Sequence, residues 1–243
     1  MFGLVEWRGA GERCDAEEKR LGGVRFLAVG IRRGDGLRAA RSLRAAARIL
    51  EKHGVVQAVF PQGFSRYERF AARGIAAVDI CPLREAAAAA IVRCAMAQRG
   101  IEPHRATVAL CAARVTRAYI AAAEALAPDI RYLQLCTAQG GWELSQTLRS
   151  RFGVAAPVLP APEGVDLALR FDDSADGIVP RGIALPLCDE ALRVTYGDER
   201  TEEYGGEPEQ LLAAWYASLA LRAEEVKVKR VEWPQSANIA VER

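Results

Sequence analysis

Between Thr107 and Asp173 the chain alternates short apolar runs with amphipathic stretches, and this alternation restricts the fold more than any other feature. The run Thr107-Val108-Ala109-Leu110 leads through a turn into a helical pattern, Val115 to Ala127. A short loop containing Pro128 and Asp129 follows, then a strand pattern at Ile130 to Leu135. A second helix is expected from Trp142 to Phe152, stopping at Gly153, because glycine readily takes the left-handed conformation that ends a helix. Two more strands are expected at Val154 to Leu159 and Val165 to Phe171. Strands that alternate with helices of this length imply a parallel sheet with right-handed crossovers.

In a dinucleotide-binding unit of this layout the first strand-helix turn reads G-x-G-x-x-G. The first glycine makes the turn, the second admits the pyrophosphate, and the third lets helix and strand pack closely. Here the frame reads Cys111-Ala112-Ala113-Arg114-Val115-Thr116, and all three glycines are absent. The acidic residue that would hold a ribose hydroxyl belongs at the end of the next strand, where this chain has Leu135-Cys136-Thr137. Val108 to Arg117, the helix end at Phe152-Gly153 and the strand start at Val165-Asp166-Leu167 nevertheless resemble the nucleotide-binding domains of the shikimate dehydrogenase and glutamyl-tRNA reductase group. The resemblance implies a Rossmann-like unit. The departures at its glycine and acidic positions put bound NAD(P) in question.

The full chain of 243 residues can bury a substantial core without staples. At 51% hydrophobic and 26% charged it has the composition of a soluble globular protein, and a net charge of +2 gives no electrostatic reason to expect nucleic acid or a membrane. Met1 to Arg8 lacks the basic start and apolar stretch of a secretory leader, and no apolar run approaches the roughly 20 residues of a membrane span. A cytoplasmic location is the expectation. The six cysteines form no C-x-x-C pair and the only histidines are His53 and His104, so no metal site is expected.

Ahead of the Rossmann-like unit the pattern predicts a smaller α/β lobe. Gly3 to Trp7 reads as a short strand, Gly9 to Gly23 as a charged connection, and Val24 to Ile31 as a strand covered on both faces. Asp35 stands where it would cap a helix running to about His53. Leu37, Ala40, Leu43, Ala47 and Leu50 are expected on that helix's buried face, with Arg38, Arg41, Arg44 and Arg48 on another. The arginine row reads as a solvated face paired with acids elsewhere, the sharper alternative being a phosphate- or RNA-contacting stripe. After a strand at Val55 to Phe60, Ser65-Arg66-Tyr67-Glu68 has the form of a capping box, which would leave Gln62, Gly63 and Ser65 at a helix N-terminus. Capping alone explains them as well as anion binding does. Ala76 to Ile80 reads as a strand and Glu85 to Arg99 as one small-residue helix linking the lobes. The expected division is therefore residues 1–100, the N-terminal lobe with its linking helix, and 101–243, the Rossmann-like unit with a C-terminal strand-helix-strand extension. In that extension a helix is expected from Pro208 to about Glu224, and Val226 to Trp233 reads as a strand able to pair with the N-terminal one.

Ligands of open parallel sheets bind at the carboxyl ends of the strands. That rule nominates Cys111, Arg114, Thr116, Arg117, Thr137, Gly140, Gly141 and Asp172 as ligand-binding candidates. Cys111 would face a helix N-terminus beside Arg114 and Arg117, all of which lower a thiol pKa, but His104, the nearest base in sequence, lies at the other end of its strand. Gly140 and Gly141 would let backbone approach an anion, or would simply serve a strand-helix connection. Arg114 and Arg117 are placed to pair with Asp172 or Asp173, filling the cofactor groove. Two readings result. In the first, the protein is non-catalytic or regulatory and binds a small molecule or a protein partner at this cleft. In the second, it is a nucleotide- or NAD(P)-dependent enzyme in which Arg114, Arg117 and the Gly140-Gly141 turn replace the glycine-rich loop. Homo-oligomerisation is left open, as is whether the two lobes share one sheet.

Overall fold

The computed structural model describes residues 1–9, 15–172, 182–201, 204 and 206–233. In chain order its first elements are β1 (Phe2–Arg8), β2 (Ala16–Leu21), β3 (Val24–Arg32), α1 (Leu37–Lys52), β4 (Gln57–Val59), α2 (Glu68–Ala71), β5 (Ala76–Ala77), α3 (Cys81–Ala86) and α4 (Ala88–Gln98). There follow β6 (Thr107–Arg114), α5 (Arg117–Leu126), β7 (Tyr132–Gln139), α6 (Gly141–Phe152), β8 (Val158–Leu159), β9 (Leu167–Arg170), β10 (Ile183–Pro186), β11 (Arg193–Tyr196), α7 (Pro208–Ala217) and β12 (Val228–Glu232). The chain forms two units, Met1–Leu83 with Asp198–Glu225, and Arg84–Gly197 with the chain from Val226 on. Each has its own five-stranded sheet. The fold is mixed α/β with mostly parallel sheets, as the sequence indicates.

In the first unit the strand order is β2-β3-β1-β4-β5, parallel throughout except for β2, which pairs antiparallel with β3. The connection expected at Gly9 to Gly23 thus contains a strand. Its sequence, Ala-Glu-Glu-Lys-Arg-Leu, carries no apolar alternation because β2 is an exposed edge, where charge discourages further pairing. Helix α1 buries Ala39, and packs Leu43, Ala46, Ala47 and Leu50 in one cluster with Val5, Leu27, Val29 and Ile31. Leu37, expected on that face, is 80% exposed, and Gly36 rather than Asp35 is the N-cap, without a side-chain bond. The Ser65 capping box does not form either. Helix α2 is one turn long with Tyr67 as its N-cap, and the segment is held by Phe60, Phe64, Tyr67 and Phe70, whose rings lie 4.9–5.8 Å apart.

In the second unit the order is β10-β9-β6-β7-β8, all parallel. Numbered from β6, this is 3-2-1-4-5, the order of the first five strands of a Rossmann sheet, with its reversal point between β6 and β9. The central strand β6 is buried from Val108 to Ala112. The expected strand at Val154 to Leu159 shortens to two residues, and the one at Val165 to Phe171 to four. The linking helix breaks at Ala87 into α3 and α4. The last strand, β12, pairs with β11 and not with β1. The helix after Pro208 ends at Ala217, and Leu219 takes a positive φ of 59°.

The division also differs from the one expected at residue 100. Helix α4 belongs to the second unit, where Arg93 pairs with Asp129 at 2.8 Å and the Val231 amide donates to Gln98 at 3.0 Å. The segment 198–225 belongs to the first, where the Phe60 amide donates to the Gln210 side chain at 2.8 Å and the Glu207 amide donates to the Phe60 carbonyl at 2.8 Å. These contacts bridge distant parts of the chain, so local pattern could not reveal them. Among the described residues no helix is long and apolar enough to cross a membrane.

Arg84 is 2% exposed and donates to the carbonyls of Leu187, Asp189 and Leu192 at 3.1, 2.9 and 2.7 Å. It therefore fixes the turn between β10 and β11. Truncating it leaves three acceptors short of a charged donor, so Arg84→Ala should lower stability by about 2–4 kcal/mol in urea denaturation, whereas a change below about 0.5 kcal/mol would remove this role.

Candidate functional site

The reversal point between β6 and β9 is where a parallel sheet of this order offers its ligand crevice. Strand β6 runs on through Cys111 to Arg114, and α5 begins at Arg117. The glycine frame expected to be a turn is thus mostly strand, and only Val115 and Thr116 are left to turn the chain. Thr116 is the N-cap of α5, its hydroxyl accepting from the Tyr119 amide at 3.2 Å. Tyr119 is fully buried and its hydroxyl donates to the Leu110 carbonyl at 2.7 Å, which ties α5 to β6. Burial pushes the Tyr119 phenol upward, so it stays protonated.

Asp172 lies just past β9, and its Oδ2 accepts a 2.8 Å hydrogen bond from the Ala113 amide. The other end of β9 mirrors this. Asp166 Oδ2 accepts from the Thr107 amide, also at 2.8 Å. Two carboxylates six positions apart thus cap two β6 amides six positions apart, extending the β6–β9 ladder beyond its backbone register. At the carboxyl end, the carboxylate takes a backbone donor beside the turn where the dinucleotide unit binds its phosphates. Asp173 lies outside the described residues.

The Gly140-Gly141 turn has a packing explanation. Gly140 is the left-handed N-cap of α6, at φ 81°, and an added Cβ would meet Val115 at 3.1 Å. A Cβ on Gly141 would lie 2.7 Å from Thr137 and 2.9 Å from Val158. The space beside both glycines is filled by protein. Thr137 is committed as well, with its hydroxyl 3.3 Å from the Ala113 carbonyl and 3.1 Å from that of Gln139.

Cys111 is 1% exposed and stands directly opposite Cys136 in the β6–β7 register. The two free thiols pack with Ala109, Val165 and Ala168. Hydrogen bonding to Cys136, then burial, pushes the Cys111 thiol upward, with Arg170 opposing only in part. This reverses the sequence expectation of an activated thiol, because the side chain points into the core and not toward the arginines. Of the nominated residues, Arg114 and Arg117 alone reach solvent uncommitted: both are exposed and make no ion pair among the described residues. The expected pairing with Asp172 is not formed. Gln134 was not nominated, yet it binds the loop before β9 twice, donating to the Glu163 carbonyl at 2.7 Å and accepting from its amide at 3.0 Å. A buried glutamine within an apolar strand was the available signal.

No family model and no curated protein matches the chain. Among solved structures it is similar to a shikimate 5-dehydrogenase-like protein, at 11% identity and a TM-score of 0.24. The match covers 70% of this chain and 64% of that one.

A thiol held protonated and enclosed is a poor nucleophile. Native protein treated with iodoacetamide at pH 8 should leave Cys111 unalkylated until denaturant is added. Modification of Cys111 in the native state at the rate of an exposed thiol would contradict the geometry.

Proposed function

We propose that the second unit is a cofactor-free Rossmann-like scaffold without catalytic chemistry, which recognises a small molecule or a protein partner at the carboxyl end of its sheet. The bond from the Ala113 amide to Asp172 carries this reading. A fixed carboxylate at that amide repels a phosphate and occupies the donor it would use. The two-residue turn and the neighbours packed beside Gly140 and Gly141 act in the same direction, since they leave less room than a glycine-rich loop for a pyrophosphate to approach. Arg114, Arg117 and Trp142, the last 67% exposed in the first turn of α6, remain on that rim for recognition.

The alternative is an NAD(P)- or nucleotide-dependent enzyme. It draws support from those two exposed arginines, which would grip phosphates as side chains do when a glycine loop is missing. Calorimetric titration with NAD, NADP, their reduced forms and ATP separates the two. The scaffold reading predicts that no saturable heat with any of them depends on Arg114 or Arg117. Micromolar binding that weakens in Arg114→Ala would overturn it in favour of the enzyme.

A further inference from the structure

The first unit offers at the carboxyl ends of its parallel strands what the second lacks. Strand β3 runs into Arg32-Arg33-Gly34-Asp35-Gly36 and then into the sixteen-residue helix α1. A Cβ on Gly34 or Gly36 would meet nothing within 4 Å, and Gly34 has a φ of 96°. There is room here beside both glycines, whereas at Gly140 and Gly141 that space is taken by Val115, Thr137 and Val158. The first intrahelical bond of α1 runs from the Ala40 amide to the Gly36 carbonyl, with no side-chain cap and no acid in the first turn.

Two cavities flank this loop. One, of about 370 Å³, is lined by Trp7, Arg33, Gly34, Gln62, Ser65 and Arg66 among others. The second, of about 360 Å³, is lined by Arg8, Arg32, Arg33, Gly36 and Arg38, and the two share Arg33. Arg32, Arg33, Arg38 and Arg66 thus converge on one end of the sheet, and Asp35 is the only acid among the described residues lining the two cavities, fully solvated and 3.6 Å from Arg66. An exposed pair of that kind neutralises little. Arg32, Arg33 and Arg38 make no ion pair among the described residues. Arg33 lies over the Trp7 ring, 5.4 Å from its centroid, which holds the guanidinium at the cavity wall. The Arg32 amide donates to Ser42 of α1 at 2.8 Å, which fixes the start of the loop.

Like charges brought together around an open backbone turn, beside a helix whose positive end is uncapped, are stabilised by one shared anion. We propose that this end of the first unit binds a phosphate-bearing small molecule. The phosphate sits at the Gly34-Asp35-Gly36 loop between Arg33 and Arg38, and the organic part occupies the cavity beside Gln62 and Ser65. The lining stops at Arg38 and leaves out Arg41, Arg44 and Arg48, which favours a small molecule over a nucleic acid, for which the row would have to continue as a contact surface.

The test is calorimetric titration of the full chain with ribose 5-phosphate and, separately, with ribose, at one ionic strength held with chloride. Ribose 5-phosphate should bind saturably and ribose should not. Arg33→Gln should weaken the sugar phosphate by about tenfold or more, because it removes a charge-assisted bond. Arg44→Gln, on α1 but outside both cavities, should change it by less than about twofold, the effect of a distant screened charge. In the unsubstituted protein the amide resonances of Gly34 and Gly36 should shift on titration, which keeps the test independent of any variant's folding. Absence of saturable heat, unmoved Gly34 and Gly36 amides, or an equal loss in Arg44→Gln would overturn the proposal.

Discussion

The second unit depends on how strand β6 ends. A central parallel strand is bonded on both sides by its neighbours, and amides beyond the shorter neighbour must find other acceptors or be left without partners. Strand β9 has four residues against eight in β6. Asp166 and Asp172, one on either flank of β9, make up the difference by accepting from Thr107 and Ala113. On the proposed reading, satisfying the strand with side-chain carboxylates sets the carboxyl end of the strand against phosphate. The same contact that completes the sheet thus removes the donor a dinucleotide would use.

Glycine marks this difference between the units. Gly141 has Thr137 and Val158 too close for a side chain, and Gly140 holds a φ of 81° beside Val115. Gly34 and Gly36 face open space at the end of an equivalent strand, ringed by arginines. A glycine-containing strand-helix turn has one sequence appearance and two physical causes, packing or access. Only the surroundings tell them apart. In this protein neighbours fill the space beside the glycines of the second unit, and the glycines with room beside them lie in the unit whose motif the sequence leaves unmarked.

Much of the architecture was legible because it rests on local pattern. The apolar run at Val108 to Leu110 and the helix end at Gly153 specify their elements without tertiary help, and the alternation of strands and helices specifies a parallel sheet. What was not legible depends on distant partners. Strand β2 is charged because it is an edge, and the segment from Asp198 to Glu225 joins the first unit through bonds to Phe60 across some 150 positions. The eight nominated residues do lie at the carboxyl end of the sheet. Their roles followed from direction, which periodicity does not give: Cys111 turns into the core toward Cys136, Thr116 caps a helix, and Asp172 bonds backbone and not an arginine.

The most direct test of the carboxylate-closed cleft is amide hydrogen exchange at Ala113 and Thr107 in Asp172→Ala, compared with the unsubstituted protein. If the Asp172 carboxylate holds the Ala113 amide, exchange at Ala113 should accelerate by about tenfold or more while Thr107, capped by Asp166, keeps its protection. Unchanged exchange at Ala113 would show that the carboxylate does not hold that amide, and the cleft would then be open to a ligand.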